Sequence, residues 1–549
     1  MRRWNGWGDD TISFALAPDA LAFLAQRIGG GQGVTDASFA QACAGVTASR
    51  LPPHRLVETG AQVRVRHALG QSLPDWLKLR YGRIGAVPDG VAFPESADDV
   101  RDLLHYAQRY RVALIPHGGG TSVAGHLTAP EGSQPVLTVS TTRMCRLLHL
   151  DRESQLATFG AGVFGPDLEA QLRAHGFTLG HFPQSFEYST LGGWIVTRSS
   201  GQQSLRYGRI EQLFAGGAIE TPAGRLDIPT FPASAAGTDL REIVLGSEGR
   251  MGILTEATVR VTPVPETEVF HAVFFADWRH AERAVRELAQ AKLGLSMLRL
   301  SNGVETQTML ALAGHKKLIG LLEAYLALRG CKDGEGGKCM LMIGASGAKA
   351  VARGAMAQAL RLARKRGGVH IGRKMGDKWK QNRFRNVYLR NAAWEHGYVI
   401  DTVETAVDWP RVETTMLAVE AAARQALARH GEMVHTYTHL SHLYAQGASV
   451  YTTFVYRLAG DFEEDMARWR TLKGAVSQAI VDCGGTISHQ HGVGSDHAPY
   501  LQAEKGAAGI AAMAAIFRHF DPQGVMNPGK LLPDTSSPQA QAPSQGMAA

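Results

Sequence analysis

A chain of 549 residues with 44% hydrophobic and 19% charged residues has the composition of a globular enzyme and is long enough for two to four cores of about 150 residues each. Its formal net charge of +7 suits an anionic partner, yet no nucleic-acid-binding motif accompanies the charge, so no nucleic acid is expected. No run of about 18 apolar residues is present to span a membrane, and five scattered cysteines without C-x-x-C spacing argue against a disulfide framework or a cysteine-held zinc.

In chain order, residues 1–85 are mixed and loop-rich, with helical patterns at Asp19–Ile28 and Asp36–Cys43, and read as an N-terminal extension. From Ala86 the pattern changes. Val91-Ala92-Phe93 precedes Ser96, whose hydroxyl and the following Asp98 and Asp99 mark a helix start, and the helix Val100–Arg109 leads to the apolar run Val112–Ile115. That run enters Pro116, His117, Gly118, Gly119, Gly120, Thr121 and Ser122. Bare glycine backbone beside two hydroxyls can cradle a phosphate, although it is neither a P-loop nor a Rossmann fingerprint and by itself reads equally as a tight turn. Alternating segments at Val136–Ser140, Gln155–Phe159 and Gly252–Val261 predict strands, so residues 86–265 form one α+β module. A strand at Val269–Phe275 and helices at Arg279–Lys292 and Met416–Arg429 predict a second α+β domain over residues 266–532, and residues 533–549, rich in Ser, Gln, Ala and Pro, are expected to be disordered.

Two more glycine-hydroxyl clusters lie in the first module. One carries Gln184, Ser185, Ser189, Thr190 and Gly193 and runs on to Arg198, Ser199, Ser200 and Gly201; the other holds Glu248, Gly249, Gly252, Ile253 and Leu254. Three such loops in one module favour a dinucleotide over three unrelated turns. In the second domain His489-Gln490-His491 places two imidazoles at i and i+2, on one side of the chain if it is extended. No carboxylate or cysteine flanks them closely in sequence, so proton transfer or phosphate binding is preferred and no metal is expected. Tyr451 lies on a predicted strand, where a core role is equally open. Between Arg361 and Arg390, eleven Lys/Arg accompany the single acid Asp377, which fits a solvated helix face, a phosphorylated substrate or an anionic membrane surface.

The order and spacing of these loops resemble the vanillyl-alcohol-oxidase/p-cresol-methylhydroxylase (PCMH-type) FAD-binding superfamily, and within it the alkyldihydroxyacetonephosphate synthase family. The resemblance runs from Trp4-Asn5-Gly6-Trp7-Gly8 to Asp521–Lys530. It implies an α+β fold: a two-subdomain FAD-binding module, an α+β cap (substrate) domain, and a C-terminal helical segment returning to the FAD domain. It further implies noncovalent FAD on the three loops, a phosphorylated lipid-like substrate, Tyr451 as catalytic tyrosine, Arg390 as phosphate ligand, Arg299 as an arginine needed for activity, and His181 and Thr190 as sensitive positions near the flavin. The family reaction, exchange of an acyl chain for a long-chain alcohol, uses flavin as a scaffold without net redox change. The family pattern has a third histidine where this chain has Gln490. A 2-hydroxy-acid or alcohol oxidase or dehydrogenase is the rival reading, and a flavin-binding protein without catalysis a third. The termini show neither a long presequence nor a Ser-Lys-Leu address, so a cytoplasmic protein resting peripherally on a membrane, assembled as a homodimer, is the expectation.

Overall fold

The computed structural model describes residues 1–312, 316–332 and 337–532; the predicted tail at 533–549 lies outside the described residues. The helix after Ser96 runs Ala97–Tyr110. Ser96 Oγ accepts from the Asp99 amide, Asp98 and Asp99 occupy the first turn where the helix dipole favours acids, and Arg111 ends the helix at φ 52°. Val100, Leu103, Leu104 and Ala107 bury its inner face against Leu114, Leu137 and Val139. Each of the larger ones contributes about 1.5–3 kcal/mol through burial.

That helix covers a four-stranded sheet in which Gly90–Ala92 and Ala113–His117 flank Val136–Ser140 in parallel, with Val57–Glu58 as an antiparallel edge. The opposite edge is closed by the far end of the chain: Leu114 N donates to Val525 O and Asn527 N to Leu114 O, both at 2.8 Å, and Val525 and Met526 join the same core. A second, antiparallel sheet runs in the order Leu147–Asp151, Leu156–Gly160, Ile253–Arg260, Phe214–Thr221, Gly224–Ile228. These two sheets make up the first module, and the glycine loops emerge between them.

The cap is a seven-stranded antiparallel sheet in the order Val369–His370, Thr267–Phe275, Cys339–Gly347, Met297–Ser301, His435–Leu440, Gly447–Arg457, Tyr398–Asp408. Helices Trp278–Gln290 and Lys349–Lys365 cover one face through Ala281, Leu288, Ala355 and Ala359. Helix Leu501–Phe520 then carries the chain back to the first module, where Val525 and Met526 join its core. Residues 1–85 are built into the body. Trp76, on helix Leu73–Arg80, is 1% exposed and meets Trp394 edge-on at 6.3 Å, while Met1–Asp10 folds into a small hairpin with Arg3 N donating to Gly8 O at 2.8 Å. The basic stretch is not one solvated face: Lys380 pairs with Glu268 at 2.6 Å, Arg366 Nε donates to Glu287 at 2.9 Å, and Arg383 lies over the Phe182 ring at 4.5 Å.

Candidate active site

The first glycine loop is shaped by close approach. A Cβ on Gly119 would enter the carbonyl oxygen of Tyr188, and one on Gly118 would strike the Thr190 hydroxyl, so the first and second loops can meet only as bare backbone. Thr190 caps helix Leu191–Val196, its hydroxyl accepting from Gly193 N at 3.4 Å. The third loop turns at Gly249, φ 75°, against Pro116. One cavity results. Pro116–Ser122, Gln184, Ser185, Ser189, Thr190, Gly193, Ser199, Glu248, Gly249 and Gly252–Leu254 line it, and it continues to Arg390, Tyr451 and His491. Backbone amides at one end suit a diphosphate, and a polar pocket on the cap sheet suits the reacting end of FAD and a substrate; these residues fit the cofactor.

Several expected residues stand elsewhere. Arg198 turns away from the cavity, Nε donating to Leu245 O at 3.2 Å and NH2 pairing with Glu242 at 2.7 Å. Ser200 bonds His442 Nδ1 at 3.1 Å, and Gly201 packs on the backbone of Phe182. His181 is buried behind the wall, 3.2 Å from Ser199 Oγ, with its ring 4.8 Å from that of Trp194; burial first, then the charge of Arg209, lowers it to about 3, so it is a neutral support. Glu248 lines the cavity, but its carboxylate accepts from Val493 N at 2.5 Å and Gly494 N at 2.8 Å, tying the flavin loop to the histidine segment.

At the reacting end, cross-strand pairing sets Glu404, Tyr451 and His439 in one row on three neighbouring strands. His439 stacks on Tyr451 with centroids 4.7 Å apart, and the His491 ring meets Tyr451 edge-on at 5.9 Å. Burial pushes the Tyr451 phenol up to about 12, only partly offset by its hydrogen bond with Thr402. Arg299 does not reach the cavity. Its NH2 donates to Glu305 at 2.8 Å and lies 3.2 Å from His439 Nδ1, so it fixes the ring under Tyr451. Burial opposes a charged Glu305, but His439 and Arg299 outweigh it and hold its carboxyl at about 2. Arg390 faces the cavity with its guanidinium 4.3 Å from the centroid of Trp76 and NH1 donating to Gln71 O at 2.8 Å; it forms no ion pair among the described residues.

The two imidazoles of the histidine segment do not share a side. The segment bends instead of extending, His491 enters the cavity, and His489 joins Glu404 and His442 behind it. A carboxylate therefore does sit beside the histidine in space, and the ligand atoms of Glu404, His442 and His489 lie within 4.8 Å of one another. Hydrogen bonding nevertheless commits His489: Nε2 is 2.9 Å from Arg209 NH1, which can only donate, so Nδ1 carries the proton, 3.2 Å from Glu404. His489 Nε2 is thus engaged by Arg209 and by the Tyr444 hydroxyl at 2.6 Å, and His442 Nδ1 lies 3.1 Å from the hydroxyls of Ser200 and Ser204, so these ring nitrogens already have partners other than a metal. Burial opposes the Glu404 charge, but His489, His442 and His491 hold its carboxyl well below the usual range. Glu404, His439, His442, Glu305 and Thr402 carry no glycine-hydroxyl signature and are not singled out by the sequence; the alternation around Tyr451 is the one usable signal.

Asp496, which accepts from Ser495 Oγ at 3.1 Å, is raised to about 6, by burial first and then by Asp75. A carboxyl whose folded pKa exceeds its unfolded value destabilises the fold once ionised, so stability falls between about pH 4 and pH 6 and the loss persists above, by about 3 kcal/mol. Asp496→Asn is expected to flatten the dependence of the urea midpoint over that interval and raise stability at neutral pH; a pH profile parallel to the parent's would contradict this.

Residues 88–226 match the FAD binding domain family, and residues 264–531 match the C-terminal domain of FAD linked oxidases. Fold and site thus define an FAD-dependent enzyme of the PCMH-type class. The chain is 31% identical over 479 residues to the alkyldihydroxyacetonephosphate synthase of Dictyostelium discoideum, covering 86% of this chain and 77% of that one. It is 30% identical over 489 residues to that of Trypanosoma brucei brucei, covering 88% and 79%. A solved alkyldihydroxyacetonephosphate synthase structure superposes with a TM-score of 0.81 at 25% identity over 96% of this chain and 98% of that chain. The chain belongs to the alkyldihydroxyacetonephosphate synthase family.

Proposed function

We propose that the protein exchanges the acyl group of acyl-dihydroxyacetone phosphate for a long-chain alcohol, giving alkyl-dihydroxyacetone phosphate and a fatty acid. The observation that carries this reading is a single cavity joining the glycine cradle to Tyr451, His491 and Arg390, which has no carboxylate ion pair among the described residues. One C–O bond to the departing carboxylate breaks and one to the alcohol oxygen forms, the alcohol gives up its proton, and no electrons are lost. Bound FAD supplies a covalent scaffold rather than an electron sink. Arg390 holds the phosphate; its planar fork matches two phosphate oxygens, and burial makes an anionic partner favourable. His491, whose protonation burial disfavours, is an imidazole free to accept the alcohol proton, while the protonated phenol of Tyr451 donates to the departing oxygen. Anaerobically, 2-hydroxy acids are expected to leave the flavin absorbance unchanged; bleaching by one of them would move the enzyme to the hydroxy-acid dehydrogenases.

We further propose contact with a bilayer surface. No helix among the described residues is long and apolar enough to cross a membrane. Helix Lys316–Leu328, however, exposes Leu318 (69%), Leu321 (70%), Tyr325 (43%) and Leu328 (84%), spaced along one stripe, with exposed Lys317, Arg329 and Lys332 at its ends. An anionic lipid surface complements both, and a substrate with a long alkyl chain resides there. Co-sedimentation with phosphatidylcholine vesicles is expected to increase when phosphatidylglycerol is included and to be lost in Leu321→Glu/Leu328→Glu; unchanged sedimentation of that variant would refute the contact.

A further inference from the structure

The amino-terminal hairpin reaches the glycine cradle from behind. Arg2 NH2 donates to the carbonyl oxygen of Gly119, while Gly119 and Gly120 line the cavity and Arg2 does not. In a trans peptide the C=O and the next N–H point in opposite directions, so a donor holding the Gly119 carbonyl outward turns the Gly120 amide inward. Gly120, at φ 65°, is in the left-handed region that such a turn requires.

The cation itself is uncompensated. Burial pushes the Arg2 guanidinium down to about 10, it forms no ion pair among the described residues, and the Tyr188 ring at 5.8 Å is its aromatic neighbour. Burial, reinforced by the Arg2 charge, keeps the neighbouring His67 and His117 neutral. Arg2 is half-buried, and a cation held there without a counter-charge favours a nearby anion; the charge that would balance it across one peptide is the diphosphate of a dinucleotide.

The hairpin is also fastened to the cap. Asn391 Nδ2 donates to Trp7 O at 2.8 Å and Trp7 N to Asn391 Oδ1 at 3.1 Å, so the residue next to Arg390 holds the strap. Gln71, whose carbonyl receives Arg390, donates to Gly6 O at 3.3 Å. Trp7 lines the cavity at 4% exposure, and its buried indole N–H has no hydrogen-bond partner among the described residues, a donor left for a bound ligand.

We propose that the hairpin Met1–Asp10 is part of the cofactor site, with Arg2 a positioning residue that orients the Gly119–Gly120 peptide toward the FAD diphosphate. The inference rests on FAD as cofactor and is independent of the lipid substrate. Its test is titration of FAD into the full-length apoprotein, followed by flavin fluorescence. Arg2→Gln is expected to weaken FAD binding about tenfold and to make the affinity less sensitive to KCl, with Arg2→Lys intermediate because it restores charge without the fork. Binding by Arg2→Gln within about twofold of the parent would overturn the proposal. Should that variant fail to fold, hydrogen exchange on the parent decides: FAD is expected to slow the amides of Arg2–Gly8, and exchange unchanged by FAD would overturn it. No lipid enters either assay, so failure here is distinguishable from failure of the ether-forming reading.

Discussion

Tyr451→Phe is expected to lower turnover by about 10²–10⁴-fold while the protein stays yellow. The change removes one oxygen from a ring that His439 stacks at 4.7 Å and leaves the glycine cradle untouched. FAD affinity and melting temperature should therefore stay close to the parent's, and the loss should fall on kcat, since a phenol held protonated matters as a bond breaks more than as substrate binds. The check is steady-state kinetics beside an FAD titration. Retained turnover would remove Tyr451 from the chemistry and leave His491 as the proton carrier.

Arg390→Lys is expected to act on KM. The lysine keeps a positive charge but loses the planar fork and its stacking on Trp76, and one or two charge-assisted hydrogen bonds to phosphate oxygens are worth about 10²-fold in substrate affinity. Arg390→Met should cost more, because neither charge nor donor remains. Only the methionine removes every donor to Gln71 O, so melting temperature is measured beside KM for both variants and a KM rise in the lysine variant at near-parent stability reports the phosphate. Equal KM values for parent and lysine variant would show that the phosphate binds elsewhere.

The cofactor module was legible because its chemistry is local. Gly118–Gly120, Thr190 and Gly249 sit in loops whose glycines are demanded by backbone contacts a few residues from a strand; the strand expected at Val136–Ser140 forms there but is buried on both faces, and the one expected at Gly252–Val261 runs Ile253–Arg260 with alternation only in its later part. The reacting end was legible only in part. Tyr451 and Arg390, singled out by the family resemblance, line the cavity, whereas Arg299 and His489 direct their polar atoms to Glu305, His439, Arg209 and Glu404. Nothing in spacing reveals this, because Glu404 and Tyr451 become neighbours through strand register across 47 residues, and the bend at His489–His491 depends on Glu248 gripping Val493 and Gly494 from another domain. Arg198 likewise follows a glycine-hydroxyl cluster yet turns outward to Glu242, since its positive φ of 52° directs the side chain away from the cavity.

The most direct test of the whole account is incubation of the purified flavoprotein with acyl-dihydroxyacetone phosphate and an isotope-labelled long-chain alcohol. The account predicts labelled alkyl-dihydroxyacetone phosphate, an equal amount of released fatty acid, and flavin still oxidised at the end. Fatty acid released without labelled ether, or flavin left reduced, would contradict it.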